Sequence, residues 1–185
     1  MGAADAVEVR RLDADELRAG VDGVAGILAD CVAGGASVGY MAPFSEDQAR
    51  TVVAAFVAEA LAGRRVILGA FVDGRVVGSV QVVLALPPNQ PHRAEITKLL
   101  VHRSARRRGV ARRLMEVAEV EARREGRTLL VLDAVSDGDA ARLYGRLGWT
   151  AVGMIPGYAL FPDGRPCDTT VFWKAIGEGP IRGQL

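Results

Sequence analysis

The stretch Lys98 to Leu114, KLLVHRSARRRGVARRL, restricts the fold more than any other part of the chain. It begins as an apolar run at Leu99, Leu100 and Val101, which suits a buried strand. It then turns through Arg106, Arg107, Arg108 and Gly109. From Val110 onward, apolar residues recur at Leu114, Val117 and Ala118, which is one face of a helix. A strand that feeds a glycine turn at a helix start makes a place for an anion. The first N–H groups of a helix lack internal partners, and the aligned peptide dipoles favour negative charge there. Gly109 has no Cβ to hold a ligand away from the backbone, and Ala111 is nearly as small. The arginines add a fork geometry suited to phosphate oxygens. This chemistry points to a phosphate or pyrophosphate. The stretch lacks the Gly-Lys-Ser/Thr of a nucleotide–magnesium loop and the three glycines of a dinucleotide site. The plain alternative is a solvated, arginine-rich turn.

A length of 185 residues suits one domain spanning 1–185, with its ends, 1–5 and 177–185, frayed. Half of the residues are hydrophobic and the formal charge is only +1, which argues against a dedicated nucleic-acid binder. Cys31 and Cys167 lie far apart and read as small, buried or half-buried thiols. With His92 and His102 the only histidines, no metal site is expected. The start, MGAADAVEVRR, carries an early acid and no long apolar core, unlike a secretory leader, and Ala6 stands where a myristoylation signal has Ser or Thr. No apolar stretch is long enough to span a membrane, so a cytoplasmic protein is expected.

Along the chain, Val7 to Leu12 alternates like a short edge strand, and Asp13 with Glu16 forms a capping box for a helix weakened by Gly20, Gly23 and Gly26. Gly34 to Met41 is a glycine-rich break that could serve as a substrate lid or as an ordinary connection. Ser45 and Gln48 box the next helix, which Gly63 ends. Arg65 to Leu86 is a hairpin turning at Asp73-Gly74, with Gly78 a bulge candidate. Arg93 to Val101 pairs next. Thr128 to Ala134 reads as a strand buried on both faces in a parallel arrangement. Ser136 and Asp139 resemble another box, opening a helix with Ala140, Leu143 and Leu147 toward the core. A strand from Trp149 to about Ile155, a loop over Pro156–Pro166 and a last strand, Asp168 to Ala175, complete the chain. The resulting class is α/β, a mixed and mostly antiparallel central sheet with helices on both faces.

Arg106-x-x-Gly109-x-Ala111 resembles the Q/R-x-x-G-x-G/A signature of the GNAT N-acetyltransferases, and Ala140 to Trp149 (AARLYGRLGW) resembles their A-x-x-L-Y-x-x-L-G-F/W segment. The segments GGASVGYMA, RAEITKLLV, TLLVLDA and GYALFPDGRPCDTTVFWK are more closely similar to the tabtoxin-resistance type of acetyltransferase. The resemblance implies acetyl-CoA as co-substrate and a small amino-acid-like toxin or antibiotic as acceptor. It implies backbone contacts to the pantetheine arm at Leu99, Leu100 and Val101, and a pyrophosphate site at Arg107, Arg108, Gly109, Val110, Ala111 and Arg112, with Arg106 opening the motif. Arg103 and Arg113 are either solvated or near the 3′-phosphate. Asp137 stands where many members carry a cofactor-binding Asn. Tyr144 is implied as the acid that protonates the leaving sulfur.

An amine protonated at neutral pH must lose a proton before it can attack. Glu95 and Asp133 interrupt apolar strands and are the candidate bases. Either could instead hold the substrate's ammonium, pair with a nearby Arg or Lys98, or face solvent. Two further classes stay open: a non-catalytic acyl-CoA sensor on the same fold, and a nucleic-acid module using the six arginines from Arg103 to Arg113, which no aromatic interleaves. Apolar residues on the last strand and around Tyr158 would suit a homodimer surface.

Overall fold

A computed structural model describes residues 7–178. Strands and helices follow in the order β1 (Glu8–Arg11), α1 (Ala14–Ala19), α2 (Val21–Ala33), α3 (Glu46–Leu61), β2 (Arg65–Val72), β3 (Arg75–Val83), β4 (Arg93–Val101), α4 (Val110–Arg124), β5 (Leu129–Val135), α5 (Asp139–Arg146), β6 (Thr150–Leu160) and β7 (Pro166–Ala175), with a 3-10 turn at Arg103–Ala105. The frayed ends expected at 1–5 and 177–185 lie outside the described residues, save for Gly177 and Glu178.

Local sequence sets most element starts. Asp13 and Glu16 close a reciprocal capping box on α1, and Ser45 and Gln48 do the same on α3. Gly20 divides what the spacing reads as one helix into α1 and α2. Asp73 and Gly74 both take positive φ (49° and 72°) and turn β2 into β3. The ladder slips one residue between Ala70 and Phe71, beside Gly78.

The seven strands form one sheet in the order β1-β2-β3-β4-β5-β7-β6, in which only the β4–β5 pair is parallel. Strand alternation divides the core between the two faces. Val66, Leu68, Val80 and Val82 meet Leu114, Met115 and Ala118 of α4 on one face. Ile67 and Leu100 meet Leu28 of α2 and Val53 of α3 on the other. Gly78 lets α4 approach, since a Cβ there would stand 3.0 Å from Val110 Cγ1 and 3.1 Å from Leu114 Cδ1. One ammonium ties the far end: Lys174 Nζ donates to both oxygens of Glu119 on α4 (2.7 and 2.9 Å) and to the Leu147 carbonyl after α5 (2.7 Å).

Four expectations change. Ser136 does not cap α5; its hydroxyl bonds Thr170 Oγ1 of β7 at 2.8 Å, and Gly138 is the N-cap with no side-chain bond. Leu143 is only half-buried, and the residue that α5 sends into the core is Tyr144. β6 does not stop at Ile155 but runs through Pro156 to Leu160. An edge strand tolerates a proline, and its pairing with β7 is irregular between Ile155 and Ala159. That edge position belongs to β6, since β7 lies between β5 and β6. Finally, β5 is buried only at Leu130 and Leu132: Leu129 and Val131, though still paired with β4, alternate onto the other face and stay half-buried.

Leu114 is fully buried beneath the first turns of α4. Leu114→Ala is expected to cost about 3 kcal/mol by lost burial and cavity formation, read from the midpoint of urea denaturation. A loss below about 1 kcal/mol would contradict this packing.

Candidate active site

β4 and β5 pair only from Arg93/Leu129 to Glu95/Val131. Beyond that point β4 stays with β3 as far as Val101, and β5 stays with β7 as far as Val135. The two parallel strands therefore part. A slip between Ser79 and Gln81 marks the departure on the β3 side, where Lys98 takes a left-handed φ of 52°. Leu99, Leu100 and Val101 then present a backbone edge with no strand beside it on the β5 side. Parted strands of this kind can accept a peptide-like arm by backbone hydrogen bonds.

The arginine turn follows directly. His102 caps the 3-10 turn, and Arg103 fastens it to α2 through Asp30, with Nε to Oδ1 at 2.8 Å and backbone N–H to Oδ2 at 2.9 Å. Burial pushes the Asp30 carboxyl up, but these two bonds and the charges of His102 and Arg103 bring it below its ordinary value. Arg106 braces the turn against β4, its Nε donating to the Val101 carbonyl at 3.2 Å. Arg107 and Gly109 take positive φ (62° and 80°). Gly109 is the N-cap of α4 and makes no side-chain cap bond. The ladder of α4 starts with Arg113 N–H donating to Gly109 O, so the helix itself leaves the N–H groups of Val110, Ala111 and Arg112 without partners. Arg112 and Arg113 both reach Glu116, at 2.8 and 3.5 Å.

Where the strands part lies a cavity of about 490 Å³. Lys98, Leu99 and Thr97 of β4, Asp133 of β5 and Tyr144 of α5 line it, and the loop residues Ala36 to Gly39 border it on one side, with Tyr158 and Phe161 on another. Tyr144 is buried against Trp149 and Phe172, with ring centroids 5.9 and 5.6 Å away. Burial, and then the charge of Asp133, raise its phenol well above the ordinary range for tyrosine, so it stays protonated. Burial, and then the charge of Arg65, lower the Lys98 ammonium, while Asp133 acts in the opposite direction.

The structure thus brings Tyr144 and Asp133 together. Glu95 is not among the residues lining the cavity; it pairs with Arg93 on its own strand at 2.9 Å. Asp137 sits in the β5–α5 loop at φ 58°, and its carbonyl accepts from Arg142. The glycine-rich loop borders the cavity and is tied across it, Ser37 Oγ donating to the Leu160 carbonyl at 2.8 Å and Ala42 N–H to the Pro162 carbonyl at 3.0 Å. Sequence reasoning passed over Lys98, Thr97 and Phe161 as cavity residues. A lysine inside an apolar strand was the available signal for the first; the others depend on the bulge and on the length of β6.

A Cβ at Gly109 would meet nothing within 4 Å, so a substitution there is strained by backbone conformation alone. Gly109→Ala is expected to destabilise by about 1–2 kcal/mol, with an unchanged denaturant slope. Full stability would show that the turn is not held left-handed.

Solved structures with the same architecture are acetyltransferases by description. A candidate acetyltransferase of Acinetobacter baylyi ADP1 superposes with a TM-score of 0.81 at 19% identity, over 100% of this chain and 99% of that one. The yncA protein of Salmonella typhimurium, a candidate acetyltransferase solved with its cofactor acetyl-CoA, gives 0.77 at 22%, over 97% and 99%. An N-acetyltransferase of Staphylococcus aureus Mu50 gives 0.76 at 20%, over 93% and 99%. These likenesses establish the fold. The acetyltransferase (GNAT) family model matches residues 36–149, from the cavity loop through the parted strands and the arginine turn to Trp149. With more than half of its length so matched, the chain belongs to the acetyltransferase (GNAT) family.

Proposed function

We propose that this protein, acting as one domain, transfers an acetyl group from acetyl-CoA to the amine of a small, amino-acid-like acceptor, as the tabtoxin-resistance resemblance implies. The observation that carries this reading is the meeting of three features at one cavity: the unpaired β4 edge, a protonated tyrosine and a strand carboxylate.

The residues suit the cofactor. Leu99 and Val101 offer backbone groups on the side that β5 has left, while the register turns those of Leu100 toward Ser79 of β3. Gly109, Val110, Ala111 and Arg112 offer N–H groups at the uncapped start of α4, and Arg107 and Arg108 add positive charge for a pyrophosphate. Arg106 supports them by holding the turn to Val101. Asp137 can only accept hydrogen bonds there, whereas an Asn could also donate. When bound, acetyl-CoA supplies an acetyl thioester open to attack by an amine.

Asp133 takes a proton from the acceptor's ammonium, directly or through water, and passes it to solvent. Glu95, paired with Arg93, is the second candidate for that role and needs a water relay to reach the cavity. Tyr144 donates its proton to the departing sulfur. The high pKa of its phenol keeps that proton available across the working pH range. A thiol with an ordinary pKa near 8.5 is already a fair leaving group, so this acid accelerates the reaction without being indispensable.

The uncharged edge strand β6, with Val152, Met154, Tyr158 and Leu160 exposed, supports pairing of two copies edge to edge. Sedimentation at micromolar concentration should show a dimer; a monomer throughout would remove this part of the proposal.

The function is tested by thermal unfolding with acetyl-CoA against an ATP control, followed by thiol release with a panel of small amines. Acetyl-CoA should raise the melting temperature by mass action, equivalent to about 2.7 kcal/mol at one hundred times Kd, and ATP should leave it nearly unchanged. Tyr144→Phe should lower kcat by about 10- to 100-fold and preserve the acetyl-CoA shift. No shift in the parent protein would remove the cofactor assignment and the catalytic roles with it.

A further inference from the structure

Lys98 and Asp139 are the charged residues lining the cavity for which the acetyl-transfer chemistry has no use, and Asp139 is already paired with Arg142 at 2.7 Å. Lys98 is half-buried, and even partial desolvation of an ammonium is costly without a counter-ion. Yet Lys98 makes no ion pair among the described residues. Its one hydrogen bond runs from Nζ to the Val38 carbonyl at 2.9 Å, and the Tyr40 ring lies 5.4 Å from Nζ. An ammonium carries three donors, so two remain. The nearby cation Arg65 is already satisfied, by Glu59 at 2.6 and 2.9 Å and by Gln81 at 2.6 Å. In the same cavity wall the Thr97 hydroxyl also has no partner among the described residues.

The position of the ammonium is built rather than incidental. The strand bulge places Lys98 at a left-handed φ of 52°, uncommon for a residue with a side chain. The loop above comes close because residue 39 is glycine, where a Cβ would stand 3.3 Å from Lys98 Nζ. The lysine and Asp133 line one cavity of about 490 Å³, so the site presents a fixed cation and an anion to the same small molecule.

We infer that Lys98 binds an anionic oxygen group of the acceptor, a carboxylate in the first instance, so that the enzyme selects zwitterions whose amine and carboxylate engage Asp133 and Lys98 together. This deepens the proposed function and rests on it. The ion pair with the acceptor supplies the partner that the lysine lacks. It also orients the molecule so that its amine is the end presented at Asp133 and Tyr144. An amine without a carboxylate leaves Lys98 unpaired and, when protonated, brings a second positive charge into the cavity.

The test compares acetylation, by thiol release, of the twenty α-amino acids, their carboxamides and the corresponding carboxylate-free amines. A charge-assisted hydrogen bond of ordinary strength corresponds to about 10- to 100-fold in kcat/KM. The parent enzyme should favour at least one amino acid over its amide by that factor. Lys98→Met should abolish the preference through a higher KM, while the rate on the amides and the acetyl-CoA-induced melting shift change less than about threefold. Lys98→Arg should retain the preference, since the charge persists. Amides accepted as well as acids by the parent enzyme would overturn the role of Lys98 and leave the acetyltransferase reading intact; an equal loss of acids and amides in Lys98→Met would do the same. No transfer to any amine in any of the three series would overturn the activity itself, and this inference with it.

Discussion

The structure depends on a failure of strand pairing. Two parallel strands, β4 and β5, exchange backbone hydrogen bonds over three residue pairs and then separate, each held by its other neighbour. Backbone N–H and C=O groups need partners, so the exposed edge is a binding surface by default. Every element of the candidate site lies along that opening. The arginine turn continues from the end of β4, α4 begins where the turn closes, and α5 brings Tyr144 in from the β5 side. Gly78 beneath Val110 and Leu114 lets α4 lie close to the sheet, so its uncapped first turn sits beside the gap.

Electrostatics then differentiate the cavity. Tyr144 is kept neutral by burial among aromatic rings and by the neighbouring Asp133. Lys98 is held in place by a carbonyl and a ring but by no carboxylate. The arginines of the turn are partly occupied in shaping it, as with Arg103 on Asp30 and Arg106 on Val101.

The features legible in the sequence share one property: their partners lie within a few residues. The boxes Asp13–Glu16 and Ser45–Gln48, the Asp73-Gly74 turn and the left-handed Gly109 are all of this kind. Ser136 shows where that reasoning stops. Its spacing to Asp139 matches a cap, but strand pairing brings Thr170, 34 residues away in sequence, within 2.8 Å of its hydroxyl, and that bond prevails. β6 outruns its local pattern for a related reason. A proline ends most strands, and only the position of β6 at the sheet edge, with β7 inside it, makes Pro156 harmless.

The sequence by itself determined the strand-to-helix arginine turn, the α/β class and the family, through periodicity, glycine placement and short motifs that act locally. Only the tertiary structure set the two candidate carboxylates in different surroundings: Glu95 lies beside Arg93, and Asp133 lines the cavity with Lys98. In a strand, one residue of register moves a side chain to the opposite face. The bulge at Lys98 and the separation after Glu95 and Val131 are set by pairing with strands distant in sequence, and no local pattern encodes them.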